Sequence, residues 1–145
     1  MKDLLHGITV KKVIAPVSGA GDDVAQTGTV VDRQGYESLT FIIATGVLSD
    51  ADATFTVLIE DSSDNSTFTA VADGELIQQG TGSTPEVDAS FQFDDDGEVR
   101  TIGYRGVMRY VRMKITPATN TGAWLIGAVA VLGHRRVQPF LQPAT

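Results

Sequence analysis

The stretch "RYVRMKIT", residues 109–116, alternates apolar and polar side chains with a period of two. The apolar parity holds Val111, Met113 and Ile115. The other parity holds Tyr110, Arg112 and Lys114. Because successive side chains of a β-strand point to opposite faces, this alternation predicts a strand with one buried face and one wet face.

The same period recurs along most of the chain. It is clear in "SLTFIIATG" (38–46), "ATFTVLIE" (53–60) and "FQF" (91–93). The run "AWLIGAVAVLG" (123–133) is apolar on both parities, which predicts a central strand covered on both sides. Gly127 argues against a helix there.

Turn-forming segments separate these runs and complete the fold prediction. "SGAGDD", "SSDN", "QGTGSTP", "DDDG" and "PATNTG" are rich in Gly, Asp, Asn and Ser. Many short strands at short spacing predict an all-β fold, a two-sheet antiparallel sandwich that is jelly-roll-like. "GELIQQ" (74–79) is the one possible helical turn.

Length and composition set the outer bounds. At 145 residues and 42% hydrophobic content, the chain is expected to form a single β-sandwich domain over residues 1–145. The absence of cysteine excludes disulfides and thiolate zinc sites. The net charge of -7 argues against nucleic-acid binding. No stretch predicts a membrane span or a secretory signal, so synthesis in a cytoplasm is expected.

Two acidic segments require a choice between a cation site and a turn. "VLIEDSSDNSTFTAV" (57–71) lacks the central glycine and distal glutamate of a calcium loop, and its Asn65-Ser66-Thr67 acceptor pattern has no secretory context. A hairpin turn explains the same residues. The Asp94–Asp96 run followed by Gly97 is likewise typical of a tight turn, although a cation there stays an open alternative.

Catalytic groups are sparse in this sequence. His6 and His134 are the only histidines, and neither has a serine or carboxylate at a spacing that suggests a triad. The glycine pairs in "GAG" (19–21) and "GTG" (80–82) lack the lysine and the strand–loop–helix context of a phosphate-binding loop. We therefore expect no enzyme activity, no cofactor and no metal site.

Charge is segregated along the chain. Residues 22–98 contain 17 acids and one base, Arg33, whereas residues 99–145 contain seven bases and no acid. Basic strands lying beside acidic strands in one sheet would explain this pattern. A dipolar surface that docks on a neighbour of opposite sign would explain it equally well.

Both chain ends resemble arms that tie protomers together. The N-terminal arm spans about residues 1–8, and the C-terminal arm, "HRRVQPFLQPAT", spans about residues 134–145, where two prolines disfavour regular pairing. The candidate partner-binding residues are Leu4, Leu5, Arg112, Lys114, Arg135, Arg136, Val137, Phe140 and Leu141. Folding of the arms back onto their own domain is the alternative.

Residues 35–139 contain an aromatic-Ser-Leu strand, an acidic hairpin "EDSSDNSTF", the pair "IGYRGVMRYVR" and the ending "GAVAVLGHRRVQP". In these features the segment resembles a group of small structural proteins of tailed bacteriophages. The matching positions are Tyr36, Ser38, Leu39, Glu60, Asp61, Ser62, Ser66, Phe68, Ile102, Gly103, Tyr104, Arg109, Tyr110, Val111, Arg112, Gly127, Gly133, His134 and Arg136. "STPEVDASFQ" is outside this pattern. The resemblance implies a capsid decoration or cement protein and carries no active site.

The expected function is therefore that of a virion structural protein. It would bind the major capsid protein on the outer capsid surface and stabilise contacts between capsid subunits, as a homo-oligomer, a dimer or trimer. A head–tail connector, tail terminator or baseplate component is the alternative. A carbohydrate-binding β-sandwich module is a second alternative.

Overall fold

The computed structural model describes residues 3–16 and 22–136. Eleven strands and one short α-helix follow in chain order, with single 3-10 turns at Leu5–Gly7 and Asp73–Glu75. The strands are β1 (Thr9–Ile14), β2 (Gln26–Thr27), β3 (Val31–Asp32), β4 (Tyr36–Leu48), β5 (Thr54–Ser62), β6 (Thr69–Ala70), β7 (Leu76–Gln78), β8 (Phe91–Gln92), β9 (Val99–Tyr104), β10 (Tyr110–Ala118) and β11 (Trp124–Arg135), and the helix is α1 (Pro85–Ala89).

The strands form two antiparallel sheets packed as a sandwich, which confirms the predicted fold class. The first sheet has the order β1-β11-β4-β9-β7. In the second sheet, β10 and β5 pair along their whole lengths, and the short strands β2, β3, β6 and β8 pair with them. The core lies between the sheets and includes Phe41, Phe55, Met113 and Trp124, each at most 1% exposed.

The alternation in residues 109–116 is realised as predicted in β10. Val111, Met113 and Ile115 are fully buried, and the side chains between them are only half-buried. β11 is central in the hydrogen-bonded order of the first sheet, as predicted. The prediction that both of its faces are covered was wrong, because every second residue from Leu125 to Gly133 remains partly exposed.

The helical segment was predicted at the wrong place. "GELIQQ" contributes the end of a 3-10 turn and then strand β7. The α-helix lies instead at residues 85–89, in the segment outside the phage-like pattern. Thr84 caps it by accepting a hydrogen bond from the Val87 N–H, and Pro85 occupies the first turn. Five residues are too few to show helical periodicity, so only the Thr-Pro pair signals this helix.

This helix completes the hydrogen bonding of a sheet edge. The N–H of Val57 donates to Ser90 Oγ at 2.9 Å, and the N–H of Ile59 donates to Glu86 Oε1 at 2.6 Å. Both donors belong to β5, between the positions where β8 and β6 pair with it. Side chains thus occupy an edge that would otherwise be open to another strand. Burial at this position raises the pKa of the Glu86 carboxyl.

The predicted arms are only partly within the described residues. The N-terminal arm contains the 3-10 turn Leu5–Gly7, and Leu4 and Leu5 are exposed. β11 continues through Arg135, so the first two residues of the predicted C-terminal arm belong to the sheet. Val137, Phe140 and Leu141 lie outside the described residues.

Candidate partner-binding surfaces

The predicted partner-binding residues fall on two separate surfaces. Leu4, Leu5, Arg135 and Arg136 lie at one end of the sandwich, where β11 finishes and β1 begins. Arg112 and Lys114 lie on the outward face of β10 in the second sheet. They therefore do not form one continuous site.

Arg112 is already engaged within the molecule. Its Nε donates to Glu60 Oε2 at 2.6 Å across the β10–β5 pair, and its guanidinium lies 4.1 Å from the centre of the Phe68 ring. A similar pair joins Arg109 to Asp32 on β3 through two hydrogen bonds of 2.8 and 2.9 Å. These contacts support the explanation that basic strands lie beside acidic strands.

Three exposed arginines lie together at one end of the sandwich. We call this surface the arginine end; it consists of Leu4, Leu5, Arg105, Val107, Met108, Arg109 and Arg136. Val107 is 86% exposed, and Leu4 and Leu5 are 72% and 76% exposed. A shallow depression of about 150 Å³ lies between the residue 105–109 loop and the residue 33–36 turn. Arginine and methionine are enriched at protein–protein interfaces, so this composition suits a docking surface.

A buried arginine holds the 105–109 loop in place. Arg33 is 7% exposed and donates from Nη1 to the carbonyls of Gly106 and Met108, at 2.8 and 2.9 Å. Its Nη2 donates to the Glu37 carbonyl at 3.0 Å. The loop is thus tied to the start of β4, which fixes how Val107 is presented.

Tyr104 supports the same loop from beneath. The Arg33 guanidinium lies 4.9 Å from the centre of its ring. The Tyr104 hydroxyl donates to Asp61 Oδ2 at 2.7 Å and accepts from the Met108 N–H at 3.1 Å. Burial, and secondly the Asp61 hydrogen bond, raise the pKa of Tyr104. Arg33, Val107 and Met108 were not among the residues predicted to bind a partner. The one local signal for this loop is Gly106, in "YRGVMRY".

Carboxylates gather at the opposite end of the sandwich. We call it the acidic end; it consists of Asp22, Asp23, Asp50, Asp52, Asp94, Asp95, Asp96 and Glu98. Several of these groups organise loops: Asn120 N–H donates to Asp23 Oδ1 at 2.9 Å, and Gly122 N–H donates to Asp22 Oδ1 at 3.1 Å. In residues 3–16 and 22–136, no three His, Cys, Asp or Glu side chains are arranged to hold a metal ion.

Asp50 is the most perturbed carboxyl at this end. Its Oδ2 accepts from both the Thr121 hydroxyl and the Thr121 N–H at 2.5 Å. The pKa of Asp50 is lowered to about 2. The largest cause is the hydrogen bond from the Thr121 hydroxyl, followed by the bond from the Thr121 N–H and then by the hydrogen bond with Asp52. The pKa of Asp52 is raised by its contact with Asp50.

We expect carboxyl-carbon NMR titration to find Asp50 ionising near pH 2. A carboxyl whose pKa is lower in the folded state stabilises the fold above its unfolded value near 3.8, and this contribution disappears as the pH falls toward 2. Thr121→Val removes the hydroxyl donor and should move the Asp50 pKa upward, whereas Thr116→Val on β10 should leave it in place. An Asp50 pKa near 3.8 in the wild-type chain would contradict this geometry.

Both acidic segments singled out in the sequence form turns. In the 57–71 hairpin, Asp64 Oδ1 accepts from Ser66 N–H and Thr67 N–H, each at 2.9 Å, and the backbone bonds lower the Asp64 pKa. In the Asp94–Asp96 turn, Asp96 Oδ1 accepts from the Leu48 N–H at 2.8 Å, and Asp95 pairs with Arg100 at 2.8 Å. The carboxylates therefore bind backbone and arginine donors.

A second depression, of about 420 Å³, lies beside α1. It is lined by Thr54, Phe55, Thr56, Val87, Ser90, Phe91, Gln92, Asp94, Asp95 and Arg100. The Arg100 guanidinium covers the Phe91 ring at 4.7 Å and pairs with Asp95 and Glu98. Arg100 and Asp95 in the lining are thus paired with each other, and the two aromatic residues there, Phe55 and Phe91, are each only 1% exposed.

The two histidines make separate side-chain contacts. His6 contacts Asp3 in the N-terminal turn. His134 Nδ1 lies 2.8 Å from Ser38 Oγ, a pair between residues 96 positions apart that spacing alone did not reveal. Within the described ranges, no carboxylate contact orients His134 as the third member of a triad would.

Within the described part of the chain, no helix has the length and apolar character needed to cross a membrane.

Comparison with known proteins gives a likeness of fold. No protein-family profile and no curated protein sequence matches the chain. Solved structures that resemble it include the PBSX exported protein XepA, with 13% identity and a TM-score of 0.55; the match covers 94% of this chain and 41% of XepA. The chain thus spans less than half of that protein.

Two further resemblances are weaker. The Tobacco streak virus coat protein has 10% identity and a TM-score of 0.37, with 99% of this chain and 96% of the coat protein covered. The xylan-binding module CBM15 has 12% identity and a TM-score of 0.41, with 93% and 95% covered. The similarity to XepA, at 13% identity, is one of fold alone.

Proposed function

We propose that this protein is a structural protein of a bacteriophage virion that decorates the outer capsid surface. It binds the major capsid protein and reinforces contacts between capsid subunits, without catalysis or a cofactor. It is made in the cytoplasm of the bacterial host and then joins the particle. The resemblance of residues 35–139 to small phage structural proteins supports this proposal at the level of sequence.

One structural observation carries the proposal: the arginine end is an exposed apolar and cationic surface on a rigid support. Val107 and Met108 project from a loop whose carbonyls are fixed by buried Arg33. Apolar side chains held in one conformation lose little entropy on docking, so their burial contributes to affinity. Arg105 and Arg136, the latter 4.0 Å from the exposed Glu37 carboxylate, supply charged groups that set orientation on a partner surface of complementary charge.

The C-terminal residues add a second element to the proposed attachment. β11 brings the chain to the arginine end at Arg135, and residues 137–145 lie outside the described residues. Phe140 and Leu141 in this segment would pair with or pack on a capsid subunit, as extended segments do when they add to a sheet edge. Apolar contact at the loop and attachment by the terminal segment then act together.

The competing functions predict different measurements. A head–tail connector, tail terminator or baseplate component would be present in six or twelve copies per virion, whereas a cement protein would be present in hundreds. A carbohydrate-binding module would use exposed aromatic faces, but Phe91 beside the larger depression is covered by Arg100. Binding on a glycan array would favour the carbohydrate module.

Capsid binding by variants of the 105–109 loop tests the proposal. Val107→Glu combined with Met108→Glu places two charges on the apolar part of the arginine end. We expect capsid occupancy to require at least about tenfold more protein, as for the loss of a central interface contact. Occupancy is measured by sedimenting purified capsids with increasing concentrations of the protein.

A matched control separates this effect from a general change in charge. Val87→Glu alters a 55% exposed valine on α1, away from the arginine end, and should bind as the wild type does. Truncation after Arg136 removes residues 137–145 and leaves β11 intact. If the double variant binds capsids with unchanged affinity, the arginine end is not the attachment surface. If the truncated chain binds normally, the terminal segment has no part in attachment.

A further inference from the structure

We propose that two copies of this chain pair face to face through the outward side of the first sheet. The outer face is defined by three cross-strand rows of the pairing register. They are Val10–Val131–Thr40–Gly103–Ile77, Lys12–Val129–Ile42–Thr101 and Gly127–Ala44–Val99. This pairing is independent of capsid attachment, because the arginine end lies at the strand ends rather than on the sheet face.

The outer face is apolar although it is exposed. Val10 is 54% exposed, Ile77 52% and Val99 65%, and the side chains of β11 and β4 between them are partly exposed. None of the residues in the three rows is acidic, and Lys12 is their one cation. Contiguous exposed apolar surface of this kind marks interaction sites in proteins.

The surface is also continuous, because neighbouring side chains fill the space over its glycines. A Cβ at Gly103 would lie 3.1 Å from Ile77 Cβ, and a Cβ at Gly127 would lie 2.9 Å from Pro16 Cβ. Ile77 and Pro16 thus occupy the space above these two glycines, between neighbours of moderate size. Such a surface suits the stacking of one sheet on another, with backbones about 10 Å apart.

The outward face of the second sheet is polar, so the apolar character of the outer face is specific to one side of the molecule. Its outward face carries the Arg112–Glu60 pair, Lys114 on the next row of β10, and threonines at positions 54, 56 and 116. A polar face of this kind needs no partner to remain soluble. The two outward faces of the sandwich therefore differ in the way expected if one is covered and one is wet.

Area and charge both favour a second copy as the partner. Five strands about 4.8 Å apart, followed over about 20 Å of their length, give roughly 500 Å² per copy. Two copies would bury roughly 1,000 Å², the lower limit for a specific interface. We therefore expect a weak, reversible dimer with a dissociation constant on the order of 1–100 µM. Because this face lacks acids, two chains of net charge -7 can meet here without apposing carboxylates.

A two-fold axis through the outer face allows one contact to cover the apolar rows of both copies. An isologous contact presents the same surface from each copy, so the apolar rows of one copy cover those of the other. Capsid binding would raise the local concentration of copies and promote a pairing of this strength.

Sedimentation velocity of the full chain over about 2–200 µM tests the pairing at this expected affinity. We expect a monomer–dimer equilibrium in the wild type. Ile42→Glu and Ile42→Lys should each raise the dissociation constant at least about tenfold, since either charge would be desolvated in the contact. Val107→Glu, an equally drastic change at the arginine end, should leave the equilibrium unchanged.

A cross-linking measurement keeps the test valid if the Ile42 variants fold poorly. The chain contains no cysteine, so Ala44→Cys introduces a single exposed thiol on the outer face. A maleimide cross-linker spanning about 10 Å, the separation of stacked sheets, should yield covalent dimers. Ser63→Cys on the β5–β6 hairpin should yield few.

Three outcomes would overturn the pairing. They are a wild type that stays monomeric throughout the range, a trimer, and a dimer that the Ile42 variants retain. A monomeric wild type whose Ile42→Glu variant loses capsid occupancy would instead identify the outer face as a capsid contact. If the chain does not pair but the Val107→Glu/Met108→Glu variant still loses capsid binding as expected, the proposed function stands.

Discussion

Trp124→Ala is expected to lower the free energy of unfolding by about 3–5 kcal/mol. Trp124 is 1% exposed and lies at the start of β11, and its ring centre is 5.2 Å from that of Phe55 on the facing sheet. Alanine would remove the aromatic contact between the two sheets and leave a large cavity. Urea denaturation followed by circular dichroism measures the change.

Trp124→Phe is the matched control for this prediction. In the described structure, the indole Nε1 has no hydrogen-bond partner, so phenylalanine loses volume but no protein hydrogen bond. It retains an aromatic ring against Phe55 and should cost only about 1 kcal/mol, in the range of conservative core replacements. An alanine variant as stable as the phenylalanine variant would show that Trp124 does not hold the sheets together.

Arg33→Met is expected to destabilise the protein by about 3–5 kcal/mol, because three backbone carbonyls lose a charged donor. Those of Gly106 and Met108 belong to the loop that presents Val107. Methionine retains apolar volume, so the loss reports hydrogen bonding and contact with the Tyr104 ring rather than a cavity. The same denaturation measurement applies.

Arg109→Met is the matched control for Arg33→Met, because it removes an exposed guanidinium instead of a buried one. Arg109 pairs with Asp32, but its side chain is 44% exposed, and exposed ion pairs contribute about 1 kcal/mol or less. Amide hydrogen exchange should show faster opening of residues 105–109 in Arg33→Met and little change in Arg109→Met. Equal stability losses in the two variants would contradict the anchoring role of Arg33.

Much of the fold could be predicted because strand alternation is a local property. The parity of residues 109–116 identified which side chains of β10 are buried, and the Asp- and Gly-rich segments marked the turns. The same pattern could not show that the second face of β11 is only partly covered. An apolar residue is the same in the sequence whether its face of the sheet is covered or exposed to solvent.

The candidate surfaces were less predictable, since they depend on which segments meet. The character of the chain ends predicted Leu4, Leu5, Arg135 and Arg136 as partner-binding residues, which stays a prediction. Arg112 and Lys114 were grouped with them by sign of charge, but they lie on another face. The loop that contains Val107 was missed because a short exposed segment has no periodicity.

The sequence by itself determined a two-sheet β-sandwich and the side chains of each long strand that face its core. Only the tertiary structure decided which charges neutralise each other, how β5 is covered by α1, and that Arg33 reaches a loop 73 residues away. It also decided that the outer face of the first sheet is apolar across five strands. The physical reason is range: alternation acts between neighbouring residues, whereas ion pairs and surfaces depend on registers between distant strands, such as the 52 residues separating Glu60 from Arg112.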